Sequence, residues 1–206
     1  MKIIQGAVDC PLCIDSPNPE AIEAALRVHK GKAMVNSVTG EDERLHLILP
    51  LVKKYQCQVI GLAHERKEIP NNAKDRVLVA EHIVEVATKQ YGIPVNDIFI
   101  DPLVIPVSTD FKQGLVCLDT IKIVKERIPG IKTVSGLSNV SYGLPNRRYI
   151  NHVFLILAMQ MGLDAAILNP LDIKLMSNLN VAELLLGKDP DSRKYLKANR
   201  QGLLQF

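Results

Sequence analysis

An excess of charge of either sign is nearly absent. Lys and Arg number 25 against 22 Asp and Glu, a formal net charge of +3. The basic residues are scattered along the chain, which argues against nucleic-acid binding. No apolar run approaches the ~18 residues of a membrane span. No secretory leader is visible either: Met1-Lys2-Ile3-Ile4 gives way to polar residues within a few positions. The expected compartment is the cytoplasm. Cysteine is sparse, with four in the chain. Cys10-Pro11-Leu12-Cys13 has CxxC spacing, but no second pair and no Cys/His partner follows at zinc-site spacing, so no metal is expected on this chain. Cys13 reads as a small hydrophobe inside a strand, and Cys57 and Cys117 as core thiols. Also missing are a GxGxxG loop after any strand, a P-loop, and any Ser/His/Asp or Cys/His arrangement for nucleophilic catalysis.

What is present is an ordinary globular composition, 47% apolar and 23% charged in 206 residues, enough for one sizeable core. No linker or composition shift divides residues 1–206. Short apolar runs alternate with helical stretches from end to end. The runs end at Asp15, Asn36, Leu62, Asp101, Asn139 and Leu168. Between them, Ser16 and Asn18 can cap a helix over 19–29. A helix over 41–55 starts acidic and ends Lys53-Lys54, as its dipole prefers, with a kink expected at Pro50. Ala73, Val77, Ala80, Val84, Ala87 and Tyr91 form the clearest amphipathic face. Cys117, Ile121, Val124 and Ile128 form another, and Ile150, Val153, Phe154, Leu157, Ala158 and Met161 a third. Short helices and a polar tail follow to Phe206. Six βα units imply an α/β fold with a parallel sheet and right-handed crossovers. A (β/α)₈ barrel needs eight such units and typically ~250 residues.

Four of the runs end in a lone carboxylate or amide: Asp15, Asn36, Asp101 and Asn139. In a βα barrel, strand-end polar residues converge on one mouth. A carboxylate accepts two parallel N–H bonds from an amidine-like edge, and amides both donate and accept. Two acids and two amides therefore suit a flat, nitrogen-rich heterocycle such as a pterin better than a phosphate or a metal. Each residue taken alone could equally cap a helix or close a turn.

The local strings carry a resemblance. Cys13-Ile14-Asp15-Ser16, Val35-Asn36-Ser37, Ile100-Asp101-Pro102-Leu103-Val104-Ile105-Pro106-Val107 and Gly136-Leu137-Ser138-Asn139-Val140-Ser141 resemble the pterin-binding methyltransferase family. Asn146-Arg147, Ile150-Asn151 and Gly162-Leu163-Asp164-Ala165-Ala166-Ile167 add to it. This family includes methyltetrahydrofolate:corrinoid methyltransferases and the folate domain of cobalamin-dependent methionine synthase. The resemblance implies a (β/α)₈ barrel with the pterin at the carboxyl ends of the strands. It implies that Asp15, Asn36 and Asp101 hold the pterin ring and that Asn139 acts at N5. It implies methyltetrahydrofolate or tetrahydrofolate as substrate, and cobalamin carried by a partner corrinoid protein.

The sequence also departs from the family. Relatives carry two more βα units before the strand ending at Asp15, so the resemblance implies an N-terminally truncated barrel of about six units. Such an open barrel exposes two sheet edges, and a close homodimer is the expected remedy, with an unusual repacking as the alternative. After Leu62, His64-Glu65 and then Glu68-Ile69-Pro70 replace the family's usual residues. His64 is the histidine placed nearest the mouth, and Arg147 is a candidate for an acidic group of substrate or partner. Two other functions stay open. A barrel remnant could bind folate or pair with a partner without catalysis. Dihydropteroate synthase shares the barrel and the pterin, but it expects a basic anion-binding cluster where this chain has Asn139-Val140-Ser141-Tyr142-Gly143, without lysine.

Overall fold

The computed structural model describes residues 1–65 and 69–205. Arg66, Lys67 and Glu68, within the departure noted after Leu62, lie outside the described residues, as does Phe206. Six strands form one parallel sheet: β1 (Cys13–Asp15), β2 (Met34–Val38), β3 (Gln58–Leu62), β4 (Ile98–Asp101), β5 (Lys132–Gly136) and β6 (Ala165–Ile167). Their order in space is their order in sequence, each strand pairing in parallel with the next. Among the described residues β1 and β6 each pair on one side only. This is the strand arrangement of a βα barrel, incomplete at six strands.

The α-helices among the described residues are α1 (Lys2–Ala7), α2 (Pro19–Leu26), α3 (Asp42–Tyr55), α4 (Ala73–Glu85), α5 (Gln113–Arg127), α6 (Arg147–Met161), α7 (Ile173–Leu185) and α8 (Arg193–Arg200). Their ends follow local chemistry. Asn18 caps α2 by accepting from the backbone N–H of Glu20 and Ala21 at 2.8 and 3.3 Å, with Pro19 at the first helical position. α3 carries Asp42 and Glu43 in its first turn and Lys53 and Lys54 in its last. α6 stops at Gly162, whose φ of 106° favours glycine.

The sheet has two apolar faces. On the outer face Val35, Val59, Ile98 and Ile100 pack against Leu45, Ile48 and Leu49 of α3 and Val77, Ala80 and Ile83 of α4. Each of these side chains is essentially fully buried, contributing about 1.5–3 kcal/mol apiece for the larger ones. A second cluster joins Cys117 and Ile121 of α5 to Phe154, Leu155 and Ala158 of α6 and Leu175 of α7. The inner, concave face carries a smaller cluster of Ile60, Phe99 and Val134, with Met34, Leu62 and Ala165 beside it.

Several sequence expectations change. Residues 2–7 form α1, which the patterning did not reveal. The face running to Tyr91 divides into α4 and a π-helical turn over Val86–Gln90. The fifth run does not extend as strand to Asn139; it ends at Gly136, and Leu137–Ser141 wind into a 3₁₀ turn. Cys13 is exposed, as is Cys10, whereas Cys57 and Cys117 are buried. The reason is position: Cys13 points to the concave face at the sheet edge, where β1 has a neighbour on one side only. Burial pushes the Cys57 and Cys117 thiols up to about 11 and about 12, so both stay neutral.

Candidate functional site

Register places the strand-end residues. Asp15 and Asn36 are direct pairing partners. Asn36 pairs with Ile60 and Ile60 with Phe99. Asp101 follows Phe99 by two residues and pairs with Leu62. Paired residues and residues two apart share a face of a sheet. Asp15, Asn36 and Asp101 therefore lie on the concave face with Ile60 and Phe99, at its carboxyl rim. Asp15 is exposed, and Asn36 and Asp101 are partly buried.

The turns behind these residues are gripped by arginines that donate to backbone carbonyls. Arg44 of α3 donates to Pro17 and Ser16 carbonyls at 2.7 and 3.3 Å and to Ser37 O through Nε and Nη2 at 3.2 and 3.0 Å. It thereby ties the turn after Asp15 to the turn after Asn36. Burial pulls its guanidinium below the usual range, and Glu41 opposes that shift. Arg76 of α4 does the same for Asp101. It donates to Pro102 O at 2.9 Å and Leu103 O at 2.7 Å, both from Nη1, to Pro70 O at 2.8 Å and to Gln113 Oε1 at 2.8 Å.

Asp101 itself closes the turn: its Oδ1 accepts from the Leu103 N–H at 2.8 Å, with Leu103 at a left-handed φ of 64°. Burial pushes the Asp101 carboxyl up to about 6, while the Leu103 N–H, Arg76 and His64 pull it back. It is thus ionised at neutral pH but close to titrating. His64 stands beside it, with Nδ1 2.8 Å from the Glu65 carbonyl. The His64 carbonyl accepts from the Gly40 N–H at 2.9 Å. A Cβ at position 40 would fall 2.6 Å from Val79 Cγ1, so only glycine lets the two loops approach this closely.

Asn139 sits in the 3₁₀ turn that follows β5 and is exposed, so it projects from a loop and not from a strand. Arg147 braces that turn: Nη2 donates to Ser138 O at 2.7 Å and Nε to Ser141 Oγ at 3.0 Å. Ser141 Oγ in turn donates to Asn151 Oδ1 at 2.7 Å. Arg147 is thus engaged by the protein itself.

The structure brings Asp15, Asn36 and Asp101 onto one rim, with His64 beside Asp101. Sequence reasoning missed Arg44 and Arg76. A signal existed for Arg76: it falls next to Val77 on the buried stripe of α4, where an unpaired charge is rarely placed. Among the described residues no cluster of three His, Cys, Asp or Glu is arranged to hold a metal. Among the same residues no helix is long and apolar enough to cross a membrane.

An acceptor-rich rim with an ionised, partly buried carboxylate suits a ligand edge that presents parallel N–H donors. Comparison with known proteins agrees with that chemistry. The family described as Pterin binding enzyme matches residues 1–169. The chain belongs to this family. Over 204 residues it is 38% identical to a methylcorrinoid:tetrahydrofolate methyltransferase of Eubacterium limosum, a match covering 98% of this chain and 75% of the relative. It is 31% identical over 184 residues to methionine synthase of Mycobacterium leprae (strain TN), covering 82% of this chain but 15% of that much longer protein. Among solved structures, 7,8-dihydropteroate synthase of Vibrio fischeri ES114 superposes with a TM-score of 0.69 at 14% identity, covering 92% of this chain and 72% of that one. Dihydropteroate synthase of Xanthomonas albilineans in complex with 7,8-dihydropteroate gives 0.65 at 18%, with the same coverage. At such identities the likeness establishes the pterin-binding barrel fold and nothing finer.

Proposed function

We propose that this pterin-binding protein transfers a methyl group between 5-methyltetrahydrofolate (or tetrahydrofolate) and the cobalt of a corrinoid carried by a partner protein. The observation that carries this reading is the convergence of Asp15, Asn36 and Asp101 on one rim, in a chain alignable almost end to end with a methylcorrinoid:tetrahydrofolate methyltransferase. Ionised Asp101 accepts from the N–H edge of the pterin, and Asp15 and Asn36 read the remaining ring atoms. The corrinoid cobalt supplies the nucleophile in one direction and the methyl group in the other.

A methyl on a tertiary amine leaves only if its nitrogen gains a proton or a strong hydrogen bond. The C–N electron pair then stays on N5, which ends the reaction carrying a hydrogen. Asn139 stabilises the charge that develops there, an interaction realised in the transition state. Arg147 holds Asn139 in place through Ser138 and Ser141. His64 is a further contact to the ring side of the mouth.

A homodimer and a cytoplasmic location belong to the same proposal. An exposed, uncharged strip on α5, α6 and the turn before α5, including Phe111, Leu115, Tyr149 and Val153, supports the dimer. Free cysteines fit a reducing compartment.

The test mixes the protein with 5-methyltetrahydrofolate and cobalt(I) cobalamin and follows loss of the cobalt(I) absorbance. Turnover is expected, and Asn139→Ala should slow it about 100-fold, with the dissociation constant for 5-methyltetrahydrofolate changed less than about threefold. Folate binding without turnover would favour a non-catalytic barrel.

A further inference from the structure

We propose that Arg76 is a positioning residue for Asp101: it fixes the turn that aims the carboxylate into the mouth, and its charge keeps that carboxylate ionised for the pterin edge. The proposal deepens the pterin reading above and rests on it.

Arg76 is fully buried. Its bonds fall on three separate stretches of chain around the mouth. They are Pro70 before α4, Pro102 and Leu103 after β4, and Gln113 at the start of α5. Gln113 is itself anchored, since its Nε2 donates to Asp110 at 3.0 Å. The turn 101–103 depends on this grip. Asp101 Oδ1 is oriented by the Leu103 N–H, which lies in the same peptide plane as the Pro102 carbonyl, and Leu103 itself has a left-handed backbone that a leucine rarely adopts. Arg76 holds the carbonyls of Pro102 and Leu103 together on one Nη1 and fixes that conformation. The planar fork of a guanidinium reaches all four acceptors at once, and an ammonium cannot.

The electrostatic half follows from the same placement. Charged or titratable described groups facing Asp101 are Arg76 from α4, His64 from the segment after β3, and Cys117 from α5. Cys117 stays neutral, its thiol pushed up to about 12 by burial. Arg76 and His64 therefore supply the favourable field, and the Arg76 guanidinium carries a permanent charge. Asp101 has lost hydration by burial; without Arg76 it would take up a proton at a higher pH.

The experiment uses the full chain, once unaltered and once with His64→Gln, over pH 5.5 to 8.5, so that any effect of His64 is separated from that of Arg76. Binding of 5-methyltetrahydrofolate is measured calorimetrically across that range, and the Asp101 carboxyl is followed in parallel by ¹³C NMR. Arg76→Met should raise the midpoint of both titrations by about one unit. Arg76→Lys should keep the midpoint and lower affinity about tenfold at every pH, because charge is retained and the fork is lost. A merely structural arginine would lower affinity uniformly without moving the midpoint, so an unmoved midpoint in Arg76→Met overturns the proposal. If Arg76→Met does not fold, Arg76→Lys decides: full affinity with lysine overturns it. If the unaltered protein binds no folate, the pterin reading falls, while the carboxyl titration still reports whether Arg76 governs Asp101.

Discussion

Asp15 and Asp101 are the same residue type on the same concave rim, and the protein treats them in opposite ways. Asp15 ends an edge strand of three residues and is open to solvent. Asp101 ends an interior strand, is partly buried, has a carboxylate oxygen fixed by a backbone N–H, and has a buried arginine behind its turn. The arginine near Asp15, Arg44, is less deeply placed and ties together two turns. The difference teaches that a shared rim does not mean a shared burden. Asp101 is organised before ligand arrives, at a cost in folding stability. On the proposed reading Asp15 offers an acceptor that is solvated until ligand binds, so it gains little beforehand.

The sharpest way to break this comparison is Asp101→Asn. Affinity for 5-methyltetrahydrofolate, measured calorimetrically at pH 7.5, should fall at least about 100-fold, because a charge-assisted pair of bonds becomes a neutral, mismatched one. The same substitution should stabilise the fold. The Asp101 carboxyl sits at about 6 in the folded chain against an ordinary 3.8, so the folded state binds its proton more tightly than the unfolded state does. Its contribution to stability is most favourable below about pH 4 and is lost as pH rises to about 6. At neutral pH the burdened carboxylate costs about 3 kcal/mol. Urea melts should therefore show Asp101→Asn more stable than the parent by about 1–3 kcal/mol at pH 8, with the gap closing towards pH 4. An equal or lower stability at pH 8 would mean that Asp101 is not burdened as described.

Asp15→Asn sharpens the other side. Affinity should fall about tenfold, and stability should change by less than about 0.5 kcal/mol, as for exposed substitutions generally. A loss as large as that of Asp101→Asn would erase the distinction between the two carboxylates. The smallest effect expected is that of Asn18→Ala, which removes the cap of the helix following Asp15 and should cost about 1 kcal/mol in the same melts. The Asp101 carboxyl resonance should titrate unchanged in that variant, since the two ends of the rim are held by different arginines.

Much of this was legible in the sequence. Apolar runs bounded by caps and glycines located all six strands, and Asn18, Lys53-Lys54 and Gly162 act at helix ends as their chemistry suggests. Three of the four strand-end residues share a face because a parallel register and a two-residue repeat place them there. Asn139 was mislocated for a local reason: the string from Thr133 to Asn139 is apolar enough to read as strand, but the chain turns after Gly136. α1 escaped because six residues carry no periodicity worth reading. Exposure of Cys13 depends on which strands flank β1, a long-range fact that no local pattern encodes. The arginine grips were hidden for another reason. Their partners are backbone carbonyls, which every residue has, so no side-chain motif advertises them.

Gly40 carries a last consequence. Among the described residues, the segments after β2 and β3 are joined there by the Gly40–His64 hydrogen bond, with no room for a side chain between Gly40 and Val79. Those two loops therefore cannot drift separately over generations: a lengthened or bulkier version of one must be matched by the other. Selection for a different ligand at this rim would have to edit them as a pair, which makes position 40 a bottleneck in the routes by which this mouth can acquire a new specificity.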